Sequence, residues 1–192
     1  MSRLEQLIGE LCPEGVVFEN LGALVEVGKG EQLNLTEMSD DGSYPVLNGG
    51  VNPSGYFEKF NTDENTITIS QGGASAGYVN FMSSKFWAGA HCFVVRPKSK
   101  RLVNMYLYYF LKNCEKRIQE AKYGAGIPGL NKTTLEHLSI PIPPLSVQEE
   151  IVRILDTFTA LEAELEKELE ARTKQYEYYR DKLLTFKQNP TP

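Results

Sequence analysis

The chain has 192 residues, 41% of them hydrophobic and 23% charged, with a formal net charge of −5. That length suits one compact domain with an extension, and no apolar run approaches the roughly 18 residues that would mark a membrane span. The start, Met1-Ser2-Arg3-Leu4-Glu5-Gln6, has no secretory hydrophobic region, and three scattered cysteines read as free thiols, so a reducing cytoplasm is expected.

Leu4, Leu7, Ile8 and Leu11 predict a short amphipathic helix, with Ser2 and Glu5 as its capping box and Pro13 as its stop. Residues 16–95 then read as strands and turns. Val16-Val17-Phe18, Tyr44-Pro45-Val46-Leu47, Thr66-Ile67-Thr68-Ile69-Ser70, Tyr78-Val79-Asn80-Phe81 and Cys92-Phe93-Val94-Val95 are the β-type runs. In the third run the Thr/Ser positions alternate with isoleucines, which predicts a half-buried strand. A helix follows from about Val103 to Lys122, with Leu107, Leu111, Cys114, Ile118 and Ala121 as its buried stripe and Gly124 as its end. Thr134 to Leu138 reads as one more helical turn. The stiff segment Ile140-Pro141-Ile142-Pro143-Pro144-Leu145 then leads into an uninterrupted helix from Ser146 to about Lys187, capped by Ser146 and Glu149. Such a rod is roughly 60 Å long at 1.5 Å per residue. The expected fold is therefore α+β: a mixed, mainly antiparallel β-rich domain over 1–145 with flanking helices, then one long coiled-coil-forming helix over 146–189.

Charge is unevenly spread. Residues 1–95 hold 4 Lys/Arg against 12 Asp/Glu, whereas 96–132 hold 9 against 2. A local positive segment is what phosphate contacts need, whatever the global sign; basic side chains that merely solvate a helix face are the plainer alternative.

Catalytic motifs fail on context. Gly124-Ala125-Gly126-Ile127-Pro128-Gly129 matches the dinucleotide pattern in letters, but a helix precedes it and Pro128 removes an amide that a phosphate would use. Leu130 and Asn131 stand where a P-loop needs Lys and Ser/Thr. His91 and His137 have no metal-type spacing to a cysteine or to each other, so structural roles are expected for both and for the cysteines. No catalytic constellation emerges, and the chain is expected not to be an enzyme by itself. What remains is a set of small-residue polar loops: Asn48-Gly49-Gly50, Ser70 to Tyr78, and Lys122 to Gly126. Glycine lets backbone approach a ligand closely, and Asn or Gln can read adenine edges while Lys and Arg hold phosphates. Ordinary turn chemistry is the alternative for each loop taken singly.

The rod carries its own pattern. Leu165, Leu169, Arg172, Tyr176, Tyr179, Leu183 and Phe186 alternate steps of 4 and 3, a heptad seam with one polar position. Ile151, Leu155, Phe158 and Leu161 extend it, with two successive steps of 3 that predict local overwinding. Residues 149–170 hold 8 Asp/Glu and 2 Lys/Arg; residues 171–187 hold 5 Lys/Arg and 2 Asp/Glu. A parallel twin would set acid beside acid, whereas an antiparallel twin sets the acidic half against the basic half.

Taken together, Tyr44-Pro45-Val46-Leu47-Asn48-Gly49-Gly50, Ser70 to Val79, Gly124 to Pro128 and Ile140 to Ile151 resemble the DNA-specificity subunit of Type I restriction-modification systems. The last run, followed by a long helix, is the most specific of these. The resemblance implies a non-catalytic subunit that reads double-stranded DNA. It also implies methyltransferase partners that bind S-adenosylmethionine, with endonuclease subunits in the full complex. This chain itself is expected to hold no cofactor, no metal and no membrane contact. Family members carry two recognition domains and two antiparallel helices; this chain reads as one of each, a half-subunit expected to homodimerise over an inverted-repeat target. Pairing with a different half, a truncated or decoy role, and a coiled-coil adaptor without DNA reading are the alternatives. The DNA-binding candidates are Asn48, Gly49, Ser70, Gln71, Gly73, Ser75, Tyr78 and Tyr123 on the loops, with Arg96, Lys98, Lys100, Arg101, Lys112, Lys116, Lys122 and Lys132 on phosphates. The dimer seam is assigned to Leu155, Phe158, Leu161, Leu165, Leu169, Tyr176, Tyr179 and Leu183. Residues Pro143 to Val152 are expected to face the methyltransferase.

Overall fold

The computed structural model describes residues 2–124, 126 and 128–187. Ala125 and Ile127 of the glycine motif, and the stretch to residue 189 assigned to the rod, lie outside the described residues in whole or part. By compactness the chain divides into Met1–Val152 and Arg153–Pro192.

In the first unit, α1 (Arg3–Leu11) is closed by the expected capping box, Ser2 with Glu5. There follow β1 (Val17–Asn20), α2 (Leu21–Leu24), β2 (Val25–Lys29), β3 (Tyr44–Leu47), β4 (Gly55–Phe57), β5 (Thr66–Ser70), β6 (Val79–Met82), β7 (Trp87–Ala88) and β8 (Cys92–Pro97). Then come α3 (Asn104–Asn113), α4 (Glu115–Glu120), α5 (Lys132–Glu136), β9 (Ser139–Ile142) and α6 (Leu145–Leu184). The main sheet is antiparallel, in the order β2-β8-β5-β6. A smaller sheet, β4-β3-β7, pairs β3 with β7 in parallel. A two-stranded ribbon joins β1 to β9.

The main sheet is covered on both faces. Ile67 and Ile69 of β5 sit opposite Val95 and Phe93 of β8, and all four join the large core with Leu107, Leu111 and Ile118. Thr68 and Ser70 sit opposite Val94 and Cys92 on the other face, where Leu47, Phe86 and Ala88 of the smaller sheet's layer complete a second cluster. All five residues of β5 are therefore buried, which corrects the half-buried strand expected from alternation. Hydroxyls can occupy such a face if their donors are used: Thr66 Oγ1 bonds to the Asp63 carbonyl at 2.9 Å, and Ser70 Oγ bonds to the Gly49 carbonyl.

The helix expected over 103–122 is two helices. Cys114, with ψ near −1°, ends α3 and starts α4. Leu107, Leu111, Cys114 and Ile118 are buried as expected, but the turn at Cys114 rotates the stripe and leaves Ala121 exposed. Gly124 lies beyond the end of α4, which is at Glu120. The expected turn at Thr134 to Leu138 is α5, shifted toward the N-terminus. The expected first strand loses Val16, and the stiff run Ile140-Pro141-Ile142 is strand β9, where Pro141 opposes Phe18 in a ribbon that needs no ladder bond beyond its single partner.

Helix α6 starts at Leu145. The Val147 and Gln148 amides bond to the Pro144 carbonyl at 2.9 and 3.1 Å, so the first turn closes on Pro144 and the expected cap at Ser146 lies inside the helix. Val147, Gln148 and Glu150 are buried, and the first compact unit accordingly runs to Val152, beyond the boundary expected at residue 145. The second unit is helical from Arg153 to Leu184, and every side chain from Asp156 to Lys187 is exposed.

Burial pushes the Cys92 thiol up from 9.0 to about 12, against a smaller lowering effect of its hydrogen bond with Thr68. An unfolded thiol releases its proton near 9, so the stability this group contributes is fully present below that pH and is lost between about 9 and about 12. Urea unfolding across that alkaline range should show a steeper fall for the native sequence than for Cys92→Ala.

Candidate nucleic-acid interface

The glycine-rich loops predicted separately from sequence interlock into one surface at the Cys92 end of β8. The β5–β6 connection is closed at its base by the Ser70 amide on the Tyr78 carbonyl, 2.9 Å, and the Gly77 amide on the Ser70 carbonyl, 2.8 Å. Ser70 Oγ reaches the Gly49 carbonyl of the loop after β3. The Gln71 amide donates to the His91 carbonyl at 2.8 Å, and the His91 amide to Asn48 Oδ1 at 3.3 Å. The third loop folds on Tyr123 and Gly129, whose amides and carbonyls exchange two bonds of 2.9 Å. It joins the first two through Gly73 N–H to the Pro128 carbonyl, 2.9 Å, and Leu130 N–H to the Gln71 carbonyl, 2.8 Å.

Two glycines are required by this closure. Gly49 has φ +88°, and a Cβ there would stand 2.8 Å from the His91 carbonyl oxygen; Gly77 has φ +88° and would meet Gln119 Cγ at 2.9 Å.

The structure thus brings together Asn48, Gly49, Ser70, Gln71, Gly73 and Tyr123. It also adds exposed His91, for which sequence analysis expected a structural role. No local motif could have flagged His91, because its neighbours Asn48 and Gln71 are distant in sequence. Ser70 itself is buried with its hydroxyl engaged; Tyr123 is 53% exposed. Gln71 Oε1 is buried without a hydrogen-bond partner. An unpaired buried acceptor costs about 1–3 kcal/mol, so this carboxamide gains by turning toward any donor brought to the loop. Ser75 holds the loop's far turn through its carbonyl, which accepts from the Tyr78 amide at 2.9 Å.

The basic candidates do not form one patch. Lys98 Nζ bonds to the Gly22 carbonyl at 2.9 Å. Arg101 makes a two-pronged contact with Glu19, 2.8 and 3.0 Å. That hydrogen bond holds the Glu19 carboxyl below its usual value and the Arg101 guanidinium above its own. With Arg96 and Lys100 these side chains belong to the Pro97 end of β8, roughly 20 Å from the loops at about 3.3 Å per residue. Lys112 lies 4.2 Å over the Tyr78 ring, donates to the Val79 carbonyl at 3.1 Å and pairs with Glu115 at 2.6 Å. Lys132 lies 3.6 Å from Glu136. Lys116 on α4 is exposed, while Lys122 beside Tyr123 is half-buried. Among the described residues no three or more His, Cys, Asp or Glu side chains are placed to hold a metal, and no helix is long and apolar enough to cross a membrane.

An α+β domain with interlocked polar loops, followed by a long helix, is the class this architecture defines. Residues 13–174 match the model of the Type I restriction modification DNA specificity domain, and the chain belongs to that family. A Haemophilus influenzae protein that carries the name of a type I restriction enzyme specificity subunit is 39% identical over 147 residues, spanning 71% of this chain and 37% of that protein. The EcoR124I/EcoR124II specificity subunit of Escherichia coli is 30% identical over 206 residues, spanning 98% of this chain and 48% of its own length. The crystal structure of the S subunit of the Type I restriction-modification system from M. genitalium superposes with a TM-score of 0.72 at 30% identity, over 87% of this chain and 45% of that one. The chain therefore spans about half or less of the length of these relatives.

Gly49→Ala should lower stability by at least about 1–2 kcal/mol, the cost of a left-handed non-glycine residue. Gly9→Ala in α1, where a Cβ meets nothing within 4 Å, serves as the control expected to be neutral or stabilising. Urea midpoints compare the two.

Proposed function

We propose that this chain is a DNA-reading element of a type I restriction-modification system, recognising one half of a bipartite target and directing a methyltransferase partner to it. The observation that carries the reading is the single surface formed by three loops in a chain of this family. Its side-chain amide and aromatic groups can meet base edges, and the Gln71 carboxamide, turned outward from its buried position, can pair with an adenine edge. Lys116 and Lys122 serve the backbone phosphates, and Arg96 and Lys100 supply a second, more distant contact. Lys98, bound to a neutral carbonyl, keeps its charge, whereas the charges of Arg101, Lys112 and Lys132 are offset by Glu19, Glu115 and Glu136. The methyl donor, S-adenosylmethionine, is bound by the partner, and endonuclease subunits join the methyltransferase in the full assembly.

Two copies pair antiparallel through α6. The reading is supported by the exposed stripe: Phe158 is 64% exposed, Leu169 67% and Leu183 69%. A soluble helix with so many large apolar side chains in water gains by covering them. Leu155, Leu161, Leu165, Tyr176 and Tyr179 complete the seam. Arg172, at the polar seam position, is held to Glu168 and Gln175 of its own helix. Opposed charge halves select head-to-tail order, and a two-fold pair of readers then takes an inverted repeat with a gap. The exposed members of the Pro143–Val152 segment, Pro144, Leu145, Ser146 and Glu149, are the part of it free to meet the methyltransferase.

Three measurements test the reading. Nitrocellulose retention of random duplex DNA should fall steeply with salt and fall further for Lys116→Ala on every sequence alike. Gln71→Ala should change the modified sequence at one position, read by genome-wide methylation mapping; an unchanged pattern removes Gln71 from the interface. Sedimentation equilibrium at micromolar concentration should give a dimer, converted to monomer by Leu165→Glu with Leu169→Glu.

A further inference from the structure

Gln148 is fully buried, and its carboxamide is satisfied at both ends. Nε2 donates to the carbonyls of Arg101 and Pro143, each at 2.8 Å, and Oε1 accepts from the Val103 amide at 2.9 Å. The partners belong to two segments: the β8–α3 connection and the turn into α6. Arg101, whose carbonyl takes one of these bonds, is held at its guanidinium by Glu19 of β1. On the same side of α6, Val147 is buried, and the nearly buried Glu150 has its Oε2 3.6 Å from Arg3 Nε of α1. The first two turns of α6 are thus keyed to α1, β1 and the β8–α3 connection together.

Apolar contacts alone would tolerate several seatings of a helix root, because dispersion has little direction. Three bonds with fixed donor and acceptor geometry admit one. A slip of one residue would turn the helix by roughly 100° and shift it by 1.5 Å. Every residue of the apolar stripe would turn with it.

We propose that Gln148 is a positioning residue for target spacing: by holding the root of α6 in one register, it fixes the gap length that a pair of these chains accepts. The inference rests on the reading of a bipartite target given above. What the amide adds at this position is geometry, since a leucine or methionine would fill a similar volume without its desolvation cost.

The test compares methylation sites, mapped genome-wide in cells supplying the methyltransferase, for the native chain, Gln148→Met and Gln148→Glu. Gln148→Met removes all three bonds; Gln148→Glu keeps the acceptor for Val103 and sets a carboxylate against two carbonyls. The half-site bases should stay unchanged in both variants, while modification at gaps one base pair longer or shorter than the native gap rises about tenfold relative to it. A variant that melts like the native chain and keeps the native gap overturns the inference alone. Native sites without a fixed gap overturn the bipartite reading and the inference with it. Hydrogen exchange on the native chain gives a measure that needs no variant. The Gln148 to Val152 amides should exchange as slowly as those of β8, and exchange as fast as in the loop residues 40–43 would also overturn the proposal.

Discussion

The domain depends on burying the β5–β8 strand pair from both sides. Isoleucine, phenylalanine and valine on one face need the helices α3 and α4, and threonine, serine, cysteine and valine on the other need the layer that holds the small sheet. Because Ser70 and Cys92 sit at the same end of that pair, the loops leaving β5 and entering β8 are forced together. The second layer brings the loop after β3 to the same place, where Ser70 bonds to Gly49. The candidate interface is a product of two-sided burial rather than of any loop by itself.

That origin explains its chemistry. A surface made of interlocked backbone has few free amides, and its rigidity comes from glycine conformations that a Cβ would break. Rigid loops suit recognition because little ordering entropy is lost when a ligand binds. The side chains left for contact are few: the Gln71 carboxamide, the His91 ring and the Tyr123 ring. Basic residues, by contrast, are dispersed, and several are tied to carbonyls or carboxylates of the domain itself. A segment of positive sequence charge and a positive surface are different things once a fold has used some of the charges to hold its own connections.

The helix has two separate regimes. Its first turns are part of the domain and make specific polar bonds. From Asp156 to Leu184 its side chains are exposed, and i,i+4 pairs such as Glu170 with Lys174 stabilise it weakly.

The sequence by itself determined the element types where one physical signal dominated. These were the capping box of α1, the β-runs, the long helix and its heptad stripe, and the family, through runs such as Pro143-Pro144-Leu145-Ser146-Val147-Gln148. It missed what depends on partners. Strand β2, Val25-Glu26-Val27-Gly28-Lys29, and the two-residue β7 are strands because β8 and β3 pair with them, and Pro141 is tolerated because β9 has a single neighbour. Alternation in Thr66 to Ser70 suggested a wet face, and only the second layer made that face dry. The rotation at Cys114, the escape of Ala121, the inclusion of His91 and the use of Gln148 as a buried staple were likewise decided in three dimensions. Local periodicity records which face of an element is apolar; which residues distant in sequence share a surface follows from how the layers pack.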